Sequence, residues 1–348
     1  MPWSRLQIER EEPDTPVAQA EGRVMSYADA VREALSLALS QDPRVYVMGQ
    51  GVDDPDGMFG CTRDLHIEFG RDRVFDTPLS EDALMGVAAG SALLGQRPVY
   101  MHNRPDFLLL AMDQLVNHAS KWRYMFGGRQ SVPMVVWAAI GRGWGSAGQH
   151  SQAPQALFAH VPGLKVVMPS TPYDAKGLLL SAIADNDPVV IIEHRWAMRH
   201  SGHVPEGIYF VPIGHGVVRR EGQDVTIAGT SHYILEAERA AEDLAAEGIS
   251  AEVIDLRTVR PLDEDLLLTS VRKTGRLIVV DTGWKTGGVS AEITAIVAEK
   301  AAAALKTNVR RLTAPDAPTP SGYTLEAAYY LTKEQVAAAV REIVAEGR

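Results

Sequence analysis

Two polar side chains in this 348-residue sequence sit where chemistry is possible. Glu81 belongs to DTPLSEDALMGVAAGSALLG, where a carboxylate opens a helix whose next turns are almost entirely Ala, Gly, Met, Val and Leu. A titratable acid at such a place is a candidate for proton chemistry. The local alternative is that Ser80 caps the helix and Glu81 and Asp82 fill its first turn, where negative charge is favoured by about 0.3–1 kcal/mol against the helix dipole. His150, in GSAGQHSQAP, stands in a glycine-rich loop just past a strand, where open α/β sheets place their ligands and an imidazole titrates near neutrality. Its alternative is a hydrogen bond to Ser146 or Ser151 that holds the loop in place.

Other spacings are weaker. Gly143 to Gly148 is a literal GxGxxG after the strand VPMVVWAAI, but no Asp or Glu occurs from Gln149 to Tyr173 to hold a nucleotide ribose. His200 and His203 have the spacing of a metal pair without a third ligand, and a solvated loop explains them. Asp53, Asp54, Asp56 and Gly57 resemble part of a calcium loop that lacks its distal Glu, so an ordinary turn is expected. The sequence contains no GxSxG, GxxxxGK or HExxH.

The elements that must position these residues alternate. A helix capped by Ser26 leads into RVYVMGQ; RVFDTP, the Glu81 helix and RPVYMH follow; a long helix then runs from Asp106 to Met125 before VPMVVWAAI, LKVVMPS and PVVIIEH. Short β-rich apolar runs separated by helices predict parallel strands buried on both faces. The first domain is therefore an open, mostly parallel α/β sheet over residues 25–200. The Pro-, Gly- and His-rich stretch 201–216 reads as a linker, and 217–348 as a second, smaller α/β domain. Residues 1–24, charged and without the apolar run of a secretion signal, form an arm.

The formal charge of −10 argues against nucleic acid or an anionic membrane as the main partner. The single cysteine, Cys61, suits a reducing compartment, with the cytoplasm as the default. The longest apolar stretch, Met134 to Ile140, is far shorter than the roughly 18 residues of a membrane span.

Taken in order, DTPLSEDALMG, AMDQLVNHASKWRYMFGGR, GQHSQAP, PGLKVVMPSTPYDAKGLLLSAIADNDPVV and AEVIDLRTVRPLD resemble the beta subunits of the thiamine-diphosphate-dependent 2-oxo acid dehydrogenases, the decarboxylase component of the pyruvate and branched-chain complexes. The resemblance runs from about Met25 to the carboxyl terminus. It implies a pyrimidine-binding domain followed by a transketolase C-terminal-type domain. It places on Glu81 the glutamate that hydrogen-bonds the ring nitrogen of the cofactor's aminopyrimidine and favours its imino tautomer. That role asks for a carboxyl group kept dry by its neighbours. It implies that Phe107 packs on the aminopyrimidine, although a core phenylalanine opening an amphipathic helix reads the same way. It sets His150 near the substrate carboxylate and the arriving acyl acceptor, able to stabilise charge or relay protons. A potassium site built mostly from carbonyls maps to Met134, Ala182, Ile183, Asp185 and Asp187, where the turn DNDP is the local alternative. The magnesium-diphosphate motif GDG is absent, so the resemblance implies a separate alpha subunit, an α2β2 heterotetramer, and acyl transfer to a lipoyl acyltransferase core.

The sequence also departs from that family. Gln50 and Gly51 stand where acidic residues are usual, and His102, Asn103, Arg104 and Asp106 add polarity where relatives are mostly apolar and aromatic. A polar or anionic substrate is one explanation and an altered subunit contact the other. Two further readings therefore stand beside the dehydrogenase: a split transketolase-like carboligase subunit, and a non-catalytic subunit of the same fold.

Overall fold

The computed structural model describes residues 23–141 and 145–346. They divide into two compact units, residues 23–141 with 157–213 and residues 145–156 with 214–346. The arm expected over 1–24 falls outside the described residues up to position 22, as do Gly143 and Trp144 of the GxGxxG stretch.

In the first unit β1 (Arg23–Ser26) leads into α1 (Tyr27–Gln41), then β2 (Val45–Gly49), α2 (Leu65–Phe69), β3 (Val74–Phe75), α3 (Glu81–Leu93) and β4 (Arg97–His102). After β4 come α4 (Pro105–Leu108), α5 (Trp122–Met125), β5 (Val135–Ile140), β6 (Lys165–Val167), α7 (Pro172–Ala184), β7 (Val189–His194) and β8 (Ser201–Val204), while α6 (Gln155–Ala159) starts in the second unit's residues and ends in the first's. Its strands lie in the order β6-β7-β5-β4-β2-β3, all parallel. β4, β5 and β7 are buried along their whole length, as strands covered on both faces must be. Local chemistry explains the helices that cover them. Ser26 Oγ accepts from Asp29 N at 3.1 Å, and Tyr27, Val31, Ala34, Leu35 and Ala38 recur at helical spacing on the buried face of α1. Thr171 caps α7 in the same way, with Pro172 in the first turn, and α7 packs along α1.

The long helix expected from Asp106 to Met125 is instead broken. α4 runs into a 3₁₀ turn at Leu109–Ala111 and a π-helix at Asp113–Ala119 before α5. Ser120 N bonds to Leu115 O at 3.1 Å, five residues back, and Ser120 Oγ turns inward onto Val116 O at 2.7 Å. Gly163 crosses here because a β-carbon would stand 2.0 Å from Ser120 O. The segment 201–216, expected to be a linker, begins with β8, which pairs antiparallel with β1.

The second unit contains β9 (Val217–Arg220), β10 (Val225–Gly229), α8 (His232–Ala245), β11 (Ala251–Asp255), β12 (Thr258–Arg260), α9 (Glu264–Thr274), β13 (Leu277–Trp284), α10 (Val289–Lys300), β14 (Arg310–Ala314), α11 (Tyr323–Tyr329) and α12 (Lys333–Glu346). Its sheet has the order β14-β13-β10-β11-β9, parallel except for β9. One face packs on α8 and α12 through Ile234, Ala237, Val340 and Ile343, the other on α9 and α10 through Leu267, Val271, Ile293 and Val297. The mixed α/β architecture expected from sequence is thus present in both units. Among the described residues, no helix is long and apolar enough to cross a membrane.

Candidate active site

Glu81 stands at the carboxyl-terminal rim of the first sheet, where open α/β folds bind ligands. Three strand ends meet there. Gly51 N, just past β2, donates to Asp76 Oδ1 at 2.7 Å, just past β3; Asn103 Nδ2, just past β4, donates to Gln50 O at 3.3 Å. Gly49 allows this closeness, since a β-carbon on it would fall 2.1 Å from Met101 O at a φ of +149°. α3 begins at this rim with Glu81. Ser80 precedes it with an extended φ of −158° and makes no side-chain cap, so the expected capping bond is not formed.

Two side chains of β4 lie beneath this rim. Val99 and Met101 join the core formed with α1 and α7, whereas Tyr100 and His102 point to the other face, where α3 packs. Their rings meet edge-on at 5.3 Å. Burial and then the Glu81 charge push the Tyr100 hydroxyl up to about 12. Burial lowers the His102 pKa, partly offset by its bond to the Arg104 carbonyl and by the charge on Glu81. The fields of these groups therefore overlap. Glu81 itself is partly exposed, and Leu79, Asp82, Ala83 and Val87 beside it are exposed. The dry surroundings expected for its carboxyl group are not supplied by this chain alone.

Phe107 lies in α4, half-buried, five residues after the end of β4 at His102. Arg104 Nη1 is buried there without an acceptor among the described residues.

His150 falls in the second unit. Its loop makes a 3₁₀ turn at Ala147–Gln149, and no nucleotide-type helix follows the glycines. The loop is fixed by Gln155 Nε2, which donates to Asp281 Oδ1 at 2.7 Å and Thr282 Oγ1 at 3.2 Å, and by Gly148, which lies against Pro318. Asp281 is buried, which raises its pKa, and it also accepts from Gly283 N and Ser290 N. His150 is half-buried and its backbone N bonds to Ala147 O at 3.3 Å.

Four of the five positions expected to hold potassium follow one another at the end of α7, and Met134 bonds to the strand after them. Met134 O accepts from Val189 N at 3.0 Å, and Ala182 O from Asp185 N at 3.3 Å. Ile183 O and Asp185 O both accept from Arg97 Nη1 at 2.8 Å, while the Asp185 carboxylate is paired with Lys165 at 2.6 Å and Asp187 with Arg123 at 3.1 Å. Side-chain cations already serve this turn. Elsewhere, His203 is exposed in β8 and pairs across to Val24. Among the described residues, no group of three or more His, Cys, Asp or Glu side chains could hold a metal ion.

Sequence reasoning passed over Glu193. It is fully buried in β7, and burial pushes its carboxyl group up to about 8 despite the Trp137 and Tyr27 donors nearby. The signal was a single acid in the otherwise apolar run PVVIIEH.

Comparison with known proteins agrees with this geometry. Residues 23–200 match the transketolase pyrimidine binding domain, and residues 214–336 the transketolase C-terminal domain. The chain is 43% identical over 336 residues to the acetoin:2,6-dichlorophenolindophenol oxidoreductase subunit beta of Cupriavidus necator, covering 94% of this chain and 99% of that one. It is 42% identical to the 2-oxoisovalerate dehydrogenase subunit beta of Bacillus subtilis, covering 92% and 98%. It is 43% identical to the pyruvate dehydrogenase E1 component subunit beta of the same organism, covering 85% and 91%. A solved split gene transketolase, an inactive beta4 tetramer, superposes with a TM-score of 0.74 at 26% identity, covering 93% and 99%. The carboxylate at the rim of a parallel sheet, the two domain matches and these relatives agree that the chain belongs to the transketolase-like family of beta subunits of thiamine-diphosphate-dependent 2-oxo acid dehydrogenases.

Proposed function

We propose that this chain joins a separate alpha subunit in an α2β2 heterotetramer that decarboxylates a 2-oxo acid and passes the acyl unit to a lipoyl-type acceptor. The observation that carries the reading is Glu81 at the opening of α3, beside buried Tyr100 and His102, on the carboxyl rim of the sheet. In this reading residues 25–200 bind the pyrimidine, 201–216 link the domains, and 217–348 form the C-terminal domain.

Thiamine diphosphate, when bound, supplies a nucleophilic carbon and an electron sink. The residues of this chain do the rest by position. Glu81 would share a proton with the ring nitrogen, Phe107 would lie against the ring face, and His150 would meet the substrate carboxylate or the incoming acceptor. Magnesium and the diphosphate fall to the alpha subunit. The exposed apolar side of the first unit is where that subunit seats: Leu79, Val87, Leu94 and Leu110 are 76%, 58%, 86% and 62% exposed, too much apolar surface in one region to be left to water. Covering it would also shelter Glu81 from water. A potassium ion at Met134, Ala182, Ile183, Asp185 and Asp187 belongs to the proposal, sharing its carbonyls with Arg97. A cytoplasmic location belongs to it too.

A carboligase outcome is the second reading, favoured by the polar His102 at the rim and by the likeness to the split gene transketolase. The test is co-expression with the alpha chain. Turnover of 2-oxo acids that needs both chains and thiamine diphosphate supports the proposal, and product analysis with lipoamide against aldehyde acceptors separates the two outcomes. A correctly assembled complex without cofactor-dependent turnover overturns both.

A further inference from the structure

His102 is 4% exposed at the carboxyl end of β4, on the face that α3 covers. Its Nδ1–H donates to Arg104 O at 3.0 Å, because a carbonyl oxygen only accepts. With the proton fixed on Nδ1, Nε2 of the neutral ring presents a lone pair, and Nε2 is buried without a hydrogen-bond partner among the described residues. Burial keeps the ring neutral, against the weaker pull of Glu81. A buried acceptor left unpaired is costly, so it points to a donor that arrives from outside the described residues. The neighbouring groups narrow the choice. Tyr100 stands edge-on at 5.3 Å, and Glu81 is the nearby charge.

We propose that His102 is a specificity-determining residue, with Nε2 accepting a hydrogen bond from a hydroxyl group carried by the substrate next to the reacting carbonyl. The inference rests on the reading that Glu81 marks the cofactor end of the site. A carboxylate or keto oxygen does not donate and cannot fill this place, and a methyl group leaves Nε2 unpaired. Sites built to hydrogen-bond a substrate hydroxyl reject the isostere that lacks it far more strongly than apolar pockets reject a change of size. The enzyme should therefore take hydroxylated 2-oxo acids ahead of their unhydroxylated isosteres.

The experiment uses the complete complex with its alpha subunit, thiamine diphosphate and magnesium. It compares kcat/KM for hydroxypyruvate and for 2-oxobutanoate, which differ by a hydroxyl in place of a methyl group, in wild type, His102→Phe and His102→Gln. Calorimetric titration of each apo complex with thiamine diphosphate reads the cofactor contact separately. We expect wild type to prefer hydroxypyruvate about tenfold or more. His102→Phe should lose that preference through hydroxypyruvate, and His102→Gln, whose amide oxygen still accepts, should keep part of it, all three binding cofactor alike. If His102→Phe does not fold, His102→Gln against wild type carries the comparison. A wild-type ratio near one, an unchanged ratio in the variants, or weakened cofactor binding with the ratio intact overturns the inference alone. Absence of any cofactor-dependent turnover in wild type overturns the reading of Glu81 and the inference with it.

Discussion

Replacing Glu193 by Gln should flatten the pH dependence of stability. Glu193 is fully buried in β7 and forms no hydrogen bond among the described residues, with the Trp137 and Tyr27 donors close enough to offset burial only in part. Its pKa is pushed from 4.5 up to about 8. Across that interval the folded state keeps a proton that the unfolded state has released. Stability from this group is therefore highest below pH 4.5, falls as pH rises, and levels off above about 8, at up to about 1.4 kcal/mol per pH unit. Between pH 6 and pH 9 the loss comes to about 2.5–3 kcal/mol, an order-of-magnitude figure. An amide at the same position has no proton to lose. Denaturant unfolding of wild type and Glu193→Gln at both pH values should show the wild type losing that much more than the variant. Parallel changes in the two proteins would refute the reasoning, since Glu193 would then be ionised in the fold.

Three other perturbations follow from the same geometry. Gly49→Ala places a β-carbon 2.1 Å from Met101 O, so it should separate β2 from β4 at the rim and cost about 2–4 kcal/mol, read as a lower denaturation midpoint. Leu94→Glu removes apolar surface that is 86% exposed, so the chain should fold with stability within about 0.5 kcal/mol of wild type yet form less complex with the alpha subunit on size-exclusion chromatography. Replacing sodium by potassium chloride at constant ionic strength should raise the melting temperature if potassium joins Arg97 at the carbonyls of Ile183 and Asp185; no difference would leave that turn to Arg97 and Lys165.

Much of the fold could be read from the sequence because its strands are simple. RPVYMH, VVWAAI and PVVIIEH are buried throughout, and runs of apolar residues between helices can be little else. Ser26 was readable as a cap because its hydroxyl accepts from the backbone three residues on. Ser80 has the same letter and forms no cap, since backbone angles are not written in residue type. The break at Asp113–Ala119 escaped because helical periodicity does not register a five-residue hydrogen bond such as Ser120 N to Leu115 O. β8 escaped because SGHV offers a single strand former, Val204, and is held by β1.

The candidate site was legible in the same uneven way. Glu81 was visible as an acid among small apolar residues, and His102 as a polar letter in an unexpected place. The open Nε2 was not visible, because it depends on which carbonyl Nδ1 finds. The grouping of His150 with the second unit was also hidden. It rests on contacts such as Gln155 with Asp281, 126 positions apart.

The most direct test of the role given to Glu81 is hydrogen–deuterium exchange at the thiazolium C2 of thiamine diphosphate bound to the alpha–beta complex, followed by rapid quench and NMR in wild type and Glu81→Gln. A positioned acid in that role should make exchange in wild type faster than in the variant by about 10²–10⁴-fold, with cofactor affinity little changed. Equal exchange rates in the two proteins would contradict it.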